Sequence, residues 1–251
     1  MNVKSVLLQF LICPSCLPKE ISLKATTRQV ESGDILNGFL ECTSCGERYP
    51  IQNGVARLLP KKSSKPGIDL KYETDFVVSS YLWSHYSDLL ADSPVDTAYP
   101  IWSSYLYGNY SNALDIGCAT GRLTFEMSVN SEFGVEMDMS VNFVRESRRI
   151  MQQREICFDK ILEGEIVEEV NITLPDKWHY EQVDFIVADA LSLPFPKSLF
   201  SLVTSLNMLD KVAKPLKHLT EANRVALSKG ATFFSQIHFR GLKRLRIKKI
   251  G

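Results

Sequence analysis

The sequence predicts an open α/β fold with a small metal-held ribbon in front of it, and three observations carry that prediction. Residues 112–122 run as a short apolar strand into a turn of small residues and then into a helical pattern. Later apolar strands, at 133–136, 183–188 and 202–206, each end in polar residues and are separated by segments of helix length. Ahead of all this stand two matched knuckles, Cys13-x-x-Cys16 and Cys42-x-x-Cys45, with 25 residues between them.

Composition bounds the rest. At 251 residues and 45% hydrophobic content, the chain has ample material for one packed domain plus a module. Its 29 basic and 29 acidic residues cancel, but unevenly along the chain. Residues 1–65 carry nine Lys/Arg against five Asp/Glu, 66–239 carry fourteen against twenty-four, and 240–251 carry six against none. The body therefore repels a phosphate backbone, and a nucleic acid would be recruited through the basic ends. The apolar run 6–12 is too short to span a bilayer and has no small-residue cleavage site after it, because Cys13 and Pro14 follow at once. The expectation is a cytoplasmic protein without a membrane segment.

Taken in order, the two cysteine knuckles can place four thiolates around one tetrahedral zinc, with Cys13, Cys16, Cys42 and Cys45 as ligands. Two disulfides or four unrelated thiols are the alternatives, disfavoured in an intracellular chain. Strand-like stretches at 21–23 and 34–40 suit a ribbon that cannot build a large core and needs a metal to hold it. Residues 61–70 read as a linker, and 71–110 as a helical lead-in. There Trp83, His85, Tyr86, Trp102 and Tyr105 are read as packing residues.

Ala113, Leu114 and Ile116 make the first strand of the body. Gly117, Ala119 and Gly121 keep bulk out of the turn so that a ligand can approach the backbone, and the helix from Leu123 points its N-terminus at that ligand. The second strand ends in Glu136, at the distance where a carboxylate would grip a ribose diol, with Asp138 as the reserve acid. Residues 141–154 form a helix with Val141, Val144 and Met151 inward and Arg145, Arg148, Arg149 and Arg154 on a solvated face. The connection 156–182 is longer than needed, and its acidic part, 161–172, suits an extra hairpin. The third strand ends in Asp189 and Ala190, and the fourth in Asn207 and Asp210, each of which reads equally as a ligand-side group or a loop cap. A helix over 215–227, closed by Gly230, leads to a fifth strand at 231–239.

Asp115-x-Gly-x-x-x-Gly121, Gly134-Val135-Glu136, Ala188-Asp189-Ala190 with Leu193-Pro194-Phe195, and Glu221-x-x-Arg224-Val225 before Lys229-Gly230 together resemble class I S-adenosylmethionine-dependent methyltransferases, over residues 112–239. The resemblance implies a Rossmann-like sheet of order 3-2-1-4-5 in a domain of 111–251. It also implies S-adenosylmethionine as cofactor. Asp115 would order the loop and hold the methionine end, and Gly117, Cys118, Ala119 and Gly121 would offer backbone contacts. Glu136 would bind the ribose hydroxyls, and Asp189 with Ala190 the adenine. Asn207 joins the cofactor-binding set and, with Asp210, is the nearest thing to a substrate-side group.

Such sheets usually have seven strands, and the tail 241–251 holds too few apolar residues for another helix and a closing hairpin. The last two strands are therefore expected to be lacking, with the fifth-strand edge covered by a second copy, a partner chain or the basic tail. Residues 1–60 resemble the small zinc-ribbon proteins that activate methyltransferases, which implies a structural zinc. No Asn-Pro-Pro-aromatic motif of amino-methylating enzymes follows the fourth strand, which speaks against an exocyclic-amine substrate, and the acceptor expected first is a small or undefined molecule. An RNA recruited by the ribbon is second, and a non-catalytic activator subunit third. No catalytic base is assigned, since His85, His179, His218 and His238 lie in unlike contexts.

Overall fold

The computed structural model describes residues 5–31, 33–61, 70–90, 95–164, 166–239 and 242–249. The ribbon comprises α1 (Ser5–Leu8), β1 (Leu23–Glu31), β2 (Asp34–Cys42), β3 (Arg48–Gln52) and β4 (Val55–Leu58). The lead-in comprises α2 (Asp75–Tyr86) and α3 (Tyr99–Ser103). The body follows as β5 (Tyr110–Ile116), α4 (Arg122–Ser128), β6 (Ser131–Asp138), α5 (Val141–Gln153), β7 (Glu155–Glu163), β8 (Ile166–Thr173), β9 (Val183–Ala188), β10 (Leu202–Leu206), α6 (Pro215–Val225), β11 (Thr232–Phe239) and β12 (Leu242–Lys249).

Ten of these strands form one sheet in the order β1-β2-β3-β4-β9-β6-β5-β10-β11-β12. Its centre, β9-β6-β5-β10-β11, is parallel and has the expected order 3-2-1-4-5. All six residues of β9 are buried, as a parallel strand covered on both faces requires. Its outer edge is taken by β4, which runs parallel to it through Arg57 opposite Val187 and Leu58 opposite Ala188. The ribbon thus continues the sheet, and Leu7, Leu11, Leu40 and Ile51 share one apolar cluster with Ile116, Met137 and Ile186.

At the other end the tail covers β11. Strand β12 pairs antiparallel with it from Thr232 opposite Lys249 to Phe239 opposite Leu242. The apolar count had spoken against a hairpin here, but ladder bonds use backbone groups alone, so a charged segment can still close an edge. One strand beyond the fifth is therefore present.

Helix α5 corrects the reading of its arginines. It is capped by Ser140, whose Oγ accepts from Phe143 N at 3.1 Å, and Val144 and Met151 are buried as expected. Arg148 lies on that same stripe, at helical spacing from both. It is 2% exposed, pairs with the fully buried Asp184 of β9, and donates to Phe185 O at 3.3 Å. Replacing Arg148 with Met should destabilise the fold by about 3–5 kcal/mol, because Asp184 would stay buried without its counter-charge. Thermal denaturation checks this, and an unchanged midpoint would contradict it.

The acidic connection does form a hairpin, larger than expected, from β7 and β8. Ile156, Phe158, Val170 and Ile172 bury its base beside Leu82, Trp178 and Tyr180, and Lys160 lies 3.6 Å over the Trp83 ring. No helix among the described residues is long and apolar enough to cross a membrane.

Candidate functional site

The parallel register gathers the candidate residues at the carboxyl edge of the sheet. Asp115 lies opposite Glu136 on β6 and opposite Thr204 on β10, while Asp138 lies opposite Val187 on β9. Asp189 and Asn207 then follow directly beyond the ends of their strands, which is where ligands of open α/β sheets bind.

Between β5 and α4 the chain turns through three left-handed residues, Gly117 at φ 76°, Ala119 at φ 55° and Gly121 at φ 83°. Gly117 also has no room for a side chain, since a Cβ there would collide with the Met208 thioether. A Cβ on Gly121 would sit 2.7 Å from Glu136 Oε2 and 3.0 Å from the Phe185 ring. The glycines thus allow both the backbone conformation and the close approach.

Asp115 is buried and accepts from Thr204 Oγ1 at 2.6 Å and Thr124 Oγ1 at 3.1 Å. Burial, and less strongly the charge of Asp138, raise its pKa to about 6 against the lowering effect of the two hydroxyls. Glu136 is wholly buried beneath the loop, where Ser147 Oγ donates to Oε1 at 3.2 Å and Oε2 has no hydrogen-bond partner among the described residues. Burial drives its pKa well up, and the charges of Asp115 and Asp138 add to that. Asp138 stands nearer the edge, accepting from Ala119 N at 3.2 Å and Ser140 N at 2.8 Å, and burial lifts it to about 6.

Asp189 Oδ1 accepts from Leu191 N at 2.8 Å, and the Ala190 carbonyl faces His218 Nδ1 at 3.3 Å. Asn207 takes φ 55°, and its buried Oδ1 has no partner among the described residues. Cys118 is buried with its thiol pushed well up, mainly by burial, so it is a small loop residue rather than a nucleophile.

Among the described residues none of Asp115, Glu136 and Asp138 forms an ion pair. Asp115 and Asp138 ionise near neutral pH beside a left-handed loop with no cation paired to them among the described residues, and S-adenosylmethionine carries both a sulfonium and an ammonium. The residues present therefore fit that cofactor.

Sequence reasoning missed the lid over this loop. Tyr86 OH donates to Thr120 O at 2.6 Å, and His85 Nδ1 lies 3.0 Å from Tyr99 OH and 3.1 Å from Thr120 Oγ1. Burial and the Arg122 charge hold His85 down at about 3, so it stays neutral. Arg122 opens α4, is 2% exposed, pairs with Glu126 one turn on at 2.8 Å, and ties the lead-in to the loop through Asp88 at 2.9 Å and the His85 carbonyl at 3.0 Å. Its position directly after Gly121 was the available signal. The packing role expected for His85, Tyr86 and Trp102 holds, but the surface they pack on is the loop and α4.

The four cysteines converge as their spacing predicts. Their Sγ atoms all lie within 4.8 Å of one another, with Cys13 to Cys45 at 3.8 Å and Cys16 to Cys42 at 3.7 Å. Four sulfurs about 2.3 Å from a tetrahedral zinc stand about 3.8 Å apart, whereas a disulfide needs about 2.0 Å. Burial pushes the Cys42 thiol up, but the N–H groups of Cys45 and Ser44, each 3.4 Å from its sulfur, help bring it down to about 7. Four thiolates leave no open position, so the site suits a structural zinc.

Residues 114–234 match the family described as a methyltransferase domain, and residues 4–54 match the family described as Trm112p-like protein. No curated protein matches the chain. Among solved structures, the YcgJ protein from Bacillus subtilis is 18% identical with a TM-score of 0.45, over 57% of this chain and 50% of its own. The complex of the Haloferax volcanii Trm112 methyltransferase activator with a putative methyltransferase gives 19% and 0.39, over 65% and 55%. A putative S-adenosyl-L-methionine-dependent methyltransferase from Methanococcus maripaludis gives 11% and 0.48, over 70% and 68%. The chain spans about half the length of the first of these structures.

Proposed function

We propose that this chain, which joins a Trm112p-like ribbon to an S-adenosylmethionine-binding methyltransferase domain, catalyses methyl transfer from that cofactor at the carboxyl edge of β5, β6, β9 and β10. The observation that carries the reading is the uncompensated pair Asp115 and Asp138 around the left-handed loop 117–121. When bound, S-adenosylmethionine supplies a methyl group already activated by its positive sulfur. The chain's own task is then positioning and water exclusion, which asks for no acid-base residue.

In this reading Asp115 braces the loop between Thr124 and Thr204 and sets its negative charge. Gly117, Cys118, Ala119 and Gly121 offer backbone to the ligand. The diol role passes from Glu136 to Asp138. Glu136 lies sealed under Gly121, whereas Asp138 is only half-buried at the strand end and accepts from the backbone of Ala119 and Ser140. Asp189 and Ala190 flank the adenine, and Asn207, whose buried Oδ1 has no partner among the described residues, joins the ligand-binding set beyond β10.

Calorimetry with S-adenosylhomocysteine tests this. Asp138→Ala should weaken binding about 10–100-fold, as loss of two charge-assisted hydrogen bonds implies, while Glu136→Gln stays within about threefold. The reverse order would return the diol role to Glu136, and absence of binding by the wild type would end the methyltransferase reading in favour of a non-catalytic chain. A small molecule is the acceptor that the sequence favours. An RNA acceptor gains support from a groove on the ribbon.

A further inference from the structure

We propose that the outer face of the ribbon sheet is a landing platform for single-stranded RNA. This deepens the preceding reading by making RNA the acceptor class, and it rests on that reading only for the link to methylation. The platform is a groove of about 380 Å³ lined by Arg28, Asn37, Phe39, Arg48, Pro50 and Gln52, among others. It lies outside the cofactor site and away from the zinc ligands' interior face.

Its construction follows from the strand register. Phe39 on β2 is flanked across the sheet by Thr26 on β1 and Pro50 on β3, two short side chains that leave its ring standing at the centre. Gly38 beside it permits β1 to close in, since a Cβ there would collide with the Thr26 carbonyl. The pairing slips between Thr27 and Gln29, so Arg28 is the extra residue of a bulge, and its side chain lines the groove. Arg28 has no ion-pair or hydrogen-bond partner among the described residues.

The opposite wall is Arg48, whose guanidinium stands 4.7 Å from the Phe39 ring centre. Its one carboxylate partner, Glu41 at 3.3 Å, is a solvent-exposed contact that holds it weakly.

An aromatic ring on an open antiparallel sheet, with guanidinium groups on either side, matches what unstacked bases and their phosphates ask of a protein. Charge selects the occupant. The body is net negative over 66–239, so a polyanion is steered to the two basic ends, residues 1–65 and 240–251, and the groove lies in the first of them. Two guanidinium groups exclude a basic peptide. The Gln52 amide, without a partner among the described residues, adds hydrogen-bonding capacity for the 2′-hydroxyl that distinguishes RNA, while the Asn37 amide is held by Gln29 and Asn53.

The test uses the full zinc-loaded chain and a fluorescein-labelled 12-nucleotide uridine RNA, read by fluorescence anisotropy at 50 and 200 mM salt. Phe39→Ala should weaken binding about tenfold, as loss of one stacked base implies. Phe39→Tyr should keep it. Arg28→Ala with Arg48→Ala should lower the slope of log affinity against log salt by about 1–2. Unchanged binding by Phe39→Ala would overturn the platform, as would equal competition by duplex RNA or polyglutamate. Equal binding of the deoxy 12-mer would overturn the assignment to RNA. Calorimetry with S-adenosylhomocysteine should be the same for wild type and Phe39→Ala. If neither binds it while the RNA results hold, the cofactor reading fails and the platform stands.

Discussion

Stripping the metal with a chelator at neutral pH is expected to unfold the ribbon and to lower the thermal midpoint of the whole chain. The four thiols make no disulfide, and their geometry fits one zinc. Without it, four sulfurs crowd together, with contacts such as Tyr49 OH, 3.2 Å from Cys13, and two N–H groups on Cys42 to hold them. Structural zinc supplies about 10–16 kcal/mol of folding free energy in small isolated modules, more than a typical domain's net stability. The loss would not stay local. Cys13 and Cys42 sit in the same apolar cluster as Leu114, Ile116 and Ile186, and β4 protects the outer edge of β9. Elemental analysis should find one zinc per chain in protein purified without added metal, and Cys42→Ser should reproduce the chelator result. A metal-free protein with the wild-type melting profile would refute the assignment.

What the sequence made legible and what it hid divide along one physical line. Local chemistry was readable: the cysteine spacing, the small-residue turn and the strand-end acids each rest on contacts within a few residues or on a motif of fixed order. Long-range pairings were not. Nothing local in Arg57 and Leu58 says that they will lie beside Val187 and Ala188, yet that pairing makes ribbon and body one sheet. Arg148 was misread because an arginine on a polar-looking helix is usually solvated, and only the buried Asp184 on another strand reverses that. Glu136 and Asp138 are two residues apart on one face of one strand, so spacing could not rank them, and the proposal ranks them by depth. The tail was undercounted because its apolar content was weighed while its backbone was not.

Asp115→Asn is expected to stabilise the protein at pH 7.5 while removing cofactor binding. The folded-state pKa of Asp115, about 6, lies above its ordinary value of 3.8, so the folded chain holds this proton more tightly than the unfolded one. The group's contribution to stability is fully present below pH 3.8 and is lost as pH rises through 6. At pH 7.5 the buried ionised carboxylate thus costs about 3 kcal/mol relative to its protonated form. Asn keeps the shape and can still accept from one threonine while donating to the other, without the charge. Its thermal midpoint should exceed the wild type's by on the order of 5 °C at pH 7.5, and the gain should shrink as pH falls through 6 and vanish near pH 3, where Asp115 is protonated in the folded and the unfolded chain alike. Affinity should move oppositely. The charge that burdens the empty fold is the one a sulfonium and an ammonium would meet, so S-adenosylmethionine binding should drop at least 50-fold in Asp115→Asn. In the wild type it should weaken as pH falls below about 6, where Asp115 and Asp138 both take up protons. Scanning fluorimetry at the two pH values, with calorimetry on the same samples, decides. A variant less stable than wild type at pH 7.5, or one that binds the cofactor as well, would show that Asp115 serves packing alone.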